Sequence, residues 1–354
     1  MKATLVLDNG MRFEGTAFGC EKPAVGEVVF CTAMTGYPES LTDAAYAGQL
    51  LVLTYPLVGN YGVPSHEVKE LGLEKFFESN KMQVSGLIVT DYSVEYSHWN
   101  AAETLDAWMK REGVPGITGV DTRAITKALR DGGVMGGQII IGDAAEQAKG
   151  EDYDKVNYAA QVSCTEVTTY GEGAKKVVLV DCGAKYSLIR NLAARGFEVV
   201  RVPYDYDFST LAYDAVVVSA GPGNPALYTA TVANIRKAME TDKPILGIGL
   251  GNQLLGLAAG AQVEKLKFGH RGANQPSRLT GTNSCYITNQ NVGYAVVEST
   301  LPAGWKAMFN NLNDGAVDGI RHEEKPWLGT QFAPEACSRG YRKDNLMDDF
   351  VKLI

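Results

Sequence analysis

No apolar run in this chain approaches the ~18 residues that a membrane-spanning helix needs, and no Lys/Arg cluster forms a basic stripe. A formal charge of −8 argues further against nucleic acid as a partner. Histidine is scarce, with four residues at 66, 98, 270 and 322, so metal and acid–base sites have few candidates. The six cysteines, at 20, 31, 164, 182, 285 and 337, include no CxxC pair. That spacing disfavours a zinc site or a disulfide framework and fits reduced thiols in a cytoplasmic protein. The first ten residues alternate like a strand and then turn, unlike a signal peptide. What is present, 354 residues with 45% hydrophobic and 21% charged, suffices for two domains with separate cores.

The texture of the chain changes near its middle. Residues 1–165 predict a mixed α/β domain, with strands at 3–7, 12–15 and 28–30 and helices at 101–111 and 123–131. Residues 166–175 are polar and contain Gly171 and Gly173, which predicts a linker. From 176 to 354 short β-branched runs alternate with helical patterns. Strands are expected at 177–180, 198–202, 215–218 and 244–248, and helices at 188–194, 231–240 and from 252. This is an α/β pattern, a mostly parallel sheet flanked by helices. In such sheets ligands gather at the carboxyl ends of the strands. Three glycine-bearing turns fall there, at 181–183, 219–225 and 247–251, and later loops at 289–294 and 331–336 join them. Any one of these glycines is explained by a tight turn; several on one edge point to a pocket.

The turn at 247–251 is the most informative. Pro244-Ile-Leu-Gly-Ile-Gly249-Leu-Gly-Asn-Gln-Leu-Leu255 reads as a buried strand, a sharp turn and a helix. That layout presents a Ser or Cys nucleophile at a helix N-terminus, where backbone N–H groups stabilise an oxyanion and the helix dipole lowers a thiol's pKa. Gly249 brings no side chain to it.

Further blocks carry a resemblance over nearly the whole length. They are Asp8-Asn-Gly10, Thr35-Gly-Tyr37, Thr54-Tyr-Pro-Leu-Val-Gly-Asn-Tyr-Gly62, Ser85-Gly-Leu-Ile88, Gly119-Val-Asp-Thr-Arg123, Lys267-Phe-Gly-His-Arg-Gly-Ala-Asn274, Asn313-Asp-Gly315 and Gly319-Ile-Arg-His322. With them the second half resembles a class I glutamine amidotransferase domain. The whole chain resembles the small subunit of carbamoyl-phosphate synthase. The family elbow reads Gly-Ile-Cys-Leu-Gly-His-Gln; here Gly249 takes the nucleophile position and Asn252 that of the neighbouring histidine. The family's His-Pro-Glu block is Ala333-Pro334-Glu335, which leaves Glu335 as the one remaining member of the triad. Val292, Ala45, Asn224 and Ala220 replace a histidine, a serine, an aspartate and an asparagine. The positions that hold glutamine in the family correspond to Gly221, Gly223, Leu250, Gln253, Asn291, Gly293 and Tyr294, all present with fitting types.

The resemblance implies a large synthetase subunit as partner. ATP and metal belong to that subunit, and no cofactor is expected in this chain. The family reaction needs a thiolate and a base, and losing a triad nucleophile costs about six orders of magnitude in rate. Cys182 and Cys337 are near the pocket in sequence terms and are expected to be structural thiols. Two readings stay open. One is a structural or regulatory subunit of an ammonia-dependent synthase. The other is a sensor of a glutamine-like ligand, or a partner-binding scaffold, independent of the synthase.

Overall fold

Ala3, Leu5 and Leu7 turn inward on alternate positions of the first strand, and this strand joins six others, of which Gln49–Leu53 and Gly86–Val89 are buried throughout, in a closed seven-stranded barrel in the first half of the chain. The computed structural model describes residues 1–143, 150–336 and 346–354. It divides the chain into two units, Met1–Val156 and Asn157–Ile354. The barrel strands are β1 (Lys2–Leu7), β2 (Arg12–Gly19), β3 (Ala24–Cys31), β4 (Gln49–Leu53), β5 (Gly86–Val89), β6 (Pro115–Thr118) and β7 (Met135–Ile141). They run in the order β1-β7-β3-β4-β5-β6-β2, and β2 pairs back onto β1. β3, β4, β5 and β6 are parallel neighbours; the other pairings are antiparallel. Leu5, Val28, Leu50, Val52, Ile88, Ile117 and Ile139 form one buried cluster. A second cluster centres on Trp108, Phe77 and Leu105.

Helix α1 (Leu105–Glu112) starts later than the expected 101. Thr104 caps it by accepting from the Ala107 N–H, and Ala101–Glu103 pairs instead as a short strand with Val63–Pro64. Helix α2 (Thr122–Gly132) is capped by Asp121.

In the second unit the strands are β8 (Thr168–Tyr170), β9 (Lys175–Asp181), β10 (Phe197–Pro203), β11 (Ala215–Val218), β12 (Ile245–Ile248), β13 (Val263–Leu279), β14 (Cys285–Val296), β15 (Trp305–Asn311), β16 (Val317–His322) and β17 (Trp327–Thr330). Their order is β8-β10-β9-β11-β12-β17-β16-β14-β13-β15. The stretch from β10 to β17 is parallel, as the alternating pattern predicts. An antiparallel half, β13 to β16, extends it. Helices α3 (Tyr186–Ala193) and α4 (Thr229–Met239) lie between parallel strands, α5 (Leu250–Ala259) leads from β12 into β13, and α6 (Leu346–Leu353) is the last element. The segment expected as a linker contains β8, an antiparallel edge strand on β10. The unpaired edge of β10 supplies hydrogen bonds that order this polar stretch. Among the described residues no helix is long and apolar enough to cross a membrane.

Candidate functional site

The elbow forms as the sequence predicts. β12 ends at Ile248, Gly249 turns with φ 56° and ψ −112°, and α5 begins at Leu250, two residues ahead of the expected start. Positive φ with this ψ suits glycine and strains any residue bearing a Cβ. The Gly249 N–H donates to the Thr330 carbonyl of β17 at 2.7 Å, and its own carbonyl accepts from Asn252 and Gln253. A Cβ built on Gly249 meets Ala220 Cβ at 3.2 Å and Val292 Cγ1 at 3.7 Å. Methyl groups therefore line the place where a nucleophile would stand.

The structure brings the sequence-flagged residues of the second unit to one sheet edge. Gly221 and Gly223 follow β11, Leu250 and Gln253 open α5, Asn291, Gly293 and Tyr294 lie on β14, and Ala333 and Glu335 follow β17. The Ala333 N–H donates to the Asn289 carbonyl at 3.0 Å, and Gln290 bridges to Phe332, which ties the post-β17 loop to β14. Glu335 is half-buried in the short turn Pro334–Ala336. Ala45 belongs to the first unit, in a turn where Asp43 accepts its N–H.

Two of the glycines are required by packing alone. A Cβ on Gly221 would stand 2.1 Å from the Cys182 carbonyl oxygen, and one on Gly251 would stand 2.1 Å from that of Val218. Their presence follows from backbone crossing backbone, whatever the pocket holds.

A buried carboxamide network underlies the elbow. Gln253 Nε2 donates to the Tyr294 carbonyl at 2.8 Å and to Gln331 Oε1 at 3.2 Å. Gln331 Nε2 donates to the same carbonyl at 2.6 Å, and Asn252 Nδ2 reaches Gln331 Oε1 at 3.3 Å. Asn252 Oδ1 is buried with no hydrogen-bond partner among the described residues. Sequence reasoning placed Gln331 in a pocket loop without giving it this bridging role. Its neighbours in the network are far apart in the chain.

The other thiol near the edge is poorly placed for attack. Cys182 is buried; burial first, and the neighbouring Asp181 second, push its thiol well above the usual range. Asp181 itself accepts from the N–H groups of Gly183, Ala184 and Cys164 and pairs with Arg201, so the first glycine turn is a structural cap. Cys337 lies outside the described residues.

Behind β14 a polar cluster surrounds His270, whose cross-strand partner is Val292. His270 Nε2 lies 2.8 Å from Asp314 Oδ2, and Nδ1 lies 3.0 Å from Gln290 Oε1 and 3.6 Å from Asp318 Oδ1. Gln290 Nε2 and Ser277 Oγ both donate to Asp318 Oδ2. Burial alone would lower the His270 pKa, but the two carboxylates outweigh it and raise it to about 9. The ring is buried between two carboxylates, which favour its protonated form.

Against known proteins, residues 5–139 match the family described as carbamoyl-phosphate synthase small chain, CPSase domain, and residues 178–353 match glutamine amidotransferase class-I. The chain is 45% identical to the human protein named carbamoyl-phosphate synthase [ammonia], mitochondrial, over 99% of its own length and 24% of that protein. It thus spans about a quarter of that relative. It is also 45% identical to the carbamoyl phosphate synthase arginine-specific small chain of Schizosaccharomyces pombe, covering 99% of this chain and 86% of the relative. Among solved structures, a glutamine amidotransferase from Thermotoga maritima aligns with a TM-score of 0.39 at 18% identity, over 46% of this chain and 76% of that one. With near-complete alignment to arginine-specific small chains and both family domains in order, the chain belongs to the carbamoyl-phosphate synthase small chain family.

Proposed function

We propose that this chain is the small subunit of an ammonia-dependent carbamoyl-phosphate synthase, a structural or regulatory partner whose glutaminase centre is retired. The observation that carries the reading is the elbow: strand, strained turn and helix stand where a thiol is normally presented, and the residue there is Gly249. Attack on a carboxamide needs a sulfur or oxygen nucleophile and a group to take its proton. Ala333, at the base position, offers a methyl. Glu335 has no imidazole to orient, and Cys182 is held protonated in the interior. The human and mouse relatives carry ammonia in their names, which agrees with free ammonia as the nitrogen donor.

In this reading the large chain binds ATP and its metal, and this chain carries no cofactor. The complex is cytoplasmic, as six cysteines with no CxxC pair suit, and supplies carbamoyl phosphate to arginine or pyrimidine synthesis. The fungal relatives' arginine-specific names favour the former. One observation favours a scaffold over a sensor of a glutamine-like ligand. The Gln253 carboxamide, a family ligand group, already donates to Tyr294 and Gln331 inside the protein.

The purified chain is expected to release no ammonia from glutamine above a buffer control. Combined with its large chain, it is expected to support carbamoyl-phosphate synthesis from ammonium but not from glutamine. Glutamine-driven synthesis that disappears in a Cys182→Ser variant would overturn the retired-site reading. A chain that binds no large chain at all would overturn the subunit assignment.

A further inference from the structure

We propose that His270 and the strands around it form a proton-operated switch that sets the position of the loop 331–336 beside the elbow. Neither the switch nor its test depends on the subunit reading above.

The Nδ1 nitrogen of His270 faces two neutral side chains with opposite demands. Gln290 Oε1, 3.0 Å away, bonds it only when Nδ1 carries a proton; Asn311 Nδ2, 3.3 Å away, bonds it only when Nδ1 offers a lone pair. Turning either amide over would forfeit its other bonds. Gln290 Nε2 donates to Asp318, Ser277 and Thr288, and Asn311 Oδ1 accepts the Asn313 N–H. One ring nitrogen therefore has a partner waiting in each protonation state, and the proton selects between two hydrogen-bond arrangements.

The charged groups set what each state costs. Asp314, in the turn between β15 and β16, lies 2.8 Å from Nε2 and reaches solvent, which gives the proton a route in and out. Asp318, on β16, is fully buried; its Oδ1 lies 3.6 Å from Nδ1 and accepts no hydrogen bond from the described residues. Arg271, beside His270 on β13, directs its guanidinium to the Phe268 carbonyl. Burial disfavours the imidazolium, but the two carboxylates outweigh it and raise the pKa to about 9. Once the proton leaves, Asp318 is an interior carboxylate without its neighbouring cation, a costly arrangement that the surrounding strands relieve by shifting.

That shift reaches the loop through the backbone. Gln290 forms a β-bridge with Phe332, and the Asp318 carbonyl accepts the Gln331 N–H at 2.8 Å. The two residues whose side chains answer to the His270 proton are thus the two whose main chains hold the loop. Within the loop, the Ala333 N–H donates to the Asn289 carbonyl, and the Gln331 side chain accepts from Gln253 of α5. The protonated ring keeps this assembly closed, and deprotonation loosens it next to Gly249.

The test is a nuclear magnetic resonance titration of the full chain from pH 6 to 10, with isotope-labelled alanine methyls and histidine rings. Wild type, His270→Gln and Asn311→Ala are compared after thermal unfolding at neutral pH has shown which are folded. In wild type the His270 ring and the Ala333 methyl are expected to titrate with one shared midpoint, while the Ala128 methyl on α2 stays still. His270→Gln is expected to hold the Ala333 methyl at one position across the range. Asn311→Ala, which removes the partner of the neutral ring, is expected to raise the shared midpoint by about half a unit to one unit. An Ala333 methyl that stays still while His270 titrates, or that titrates in His270→Gln, would overturn the coupling. A His270 ring that does not titrate in this range, or an unmoved midpoint in Asn311→Ala, would overturn the switch. Should His270→Gln fail to fold, the ring and the Ala333 methyl must still move together in Asn311→Ala, and separate midpoints there sink the proposal.

Discussion

At Gly249 the backbone adopts a sharp conformation between strand and helix that a glycine accommodates. The turn's positive φ is free of strain only because the residue is glycine. A Gly249→Ala variant is therefore expected to lose about 1–3 kcal/mol of stability, from backbone strain and from crowding against Ala220. Urea unfolding measures this, and an equal or higher midpoint would show the turn to be relaxed. The glycine at 249 and the alanine at 333 are legible in the sequence because the elbow and the Pro-Glu block are local patterns. The carboxamide bridge from Asn252 and Gln253 to Gln331 is not, because its halves lie on α5 and after β17. Likewise, sequence could not show that Gly221 and Gly251 answer to carbonyl oxygens of distant strands. At Gly221 and Gly251 the tight packing by itself requires glycine.

Among the elements, the long β13–β14 hairpin holds a buried histidine–carboxylate cluster. His270 on β13 meets Gln290 on β14 and Asp318 on β16, with Asp314 in the turn before β16. Burial raises the Asp314 carboxyl, yet the His270 contact outweighs it and holds it below the usual range. A histidine raised from 6.5 to about 9 on folding contributes stability that is complete below pH ~6.5 and lost as pH rises through about 9. Thermal unfolding from pH 6 to 10 is expected to show this decline. His270→Gln should flatten it and, at neutral pH, cost about 1–3 kcal/mol through the buried acceptors it leaves. A decline that persists in His270→Gln would assign it to other groups. The parallel strands of this unit were readable as short β-branched runs between helices. The antiparallel half was not, because β13 and β14 alternate irregularly across two register shifts, and β8 takes its order from β10 rather than from its own polar residues.

For the whole molecule, the two units each contain buried clusters of their own, and the division falls between Val156 and Asn157. A fragment of residues 1–156 is accordingly expected to fold alone and unfold cooperatively, as near-ultraviolet circular dichroism during heating would reveal. A fragment lacking a thermal transition would show that the barrel needs the second unit. Composition and periodicity settled the α/β class of the second half, because hydrophobic alternation is a property of neighbouring residues. Local motifs likewise made Gly249 in its elbow and Ala333 before Pro334-Glu335 recognisable. Only tertiary structure decided that the first half closes into a barrel and that methyl groups occupy the nucleophile's surroundings. Closure and crowding are set by contacts between distant segments, and no local pattern encodes them.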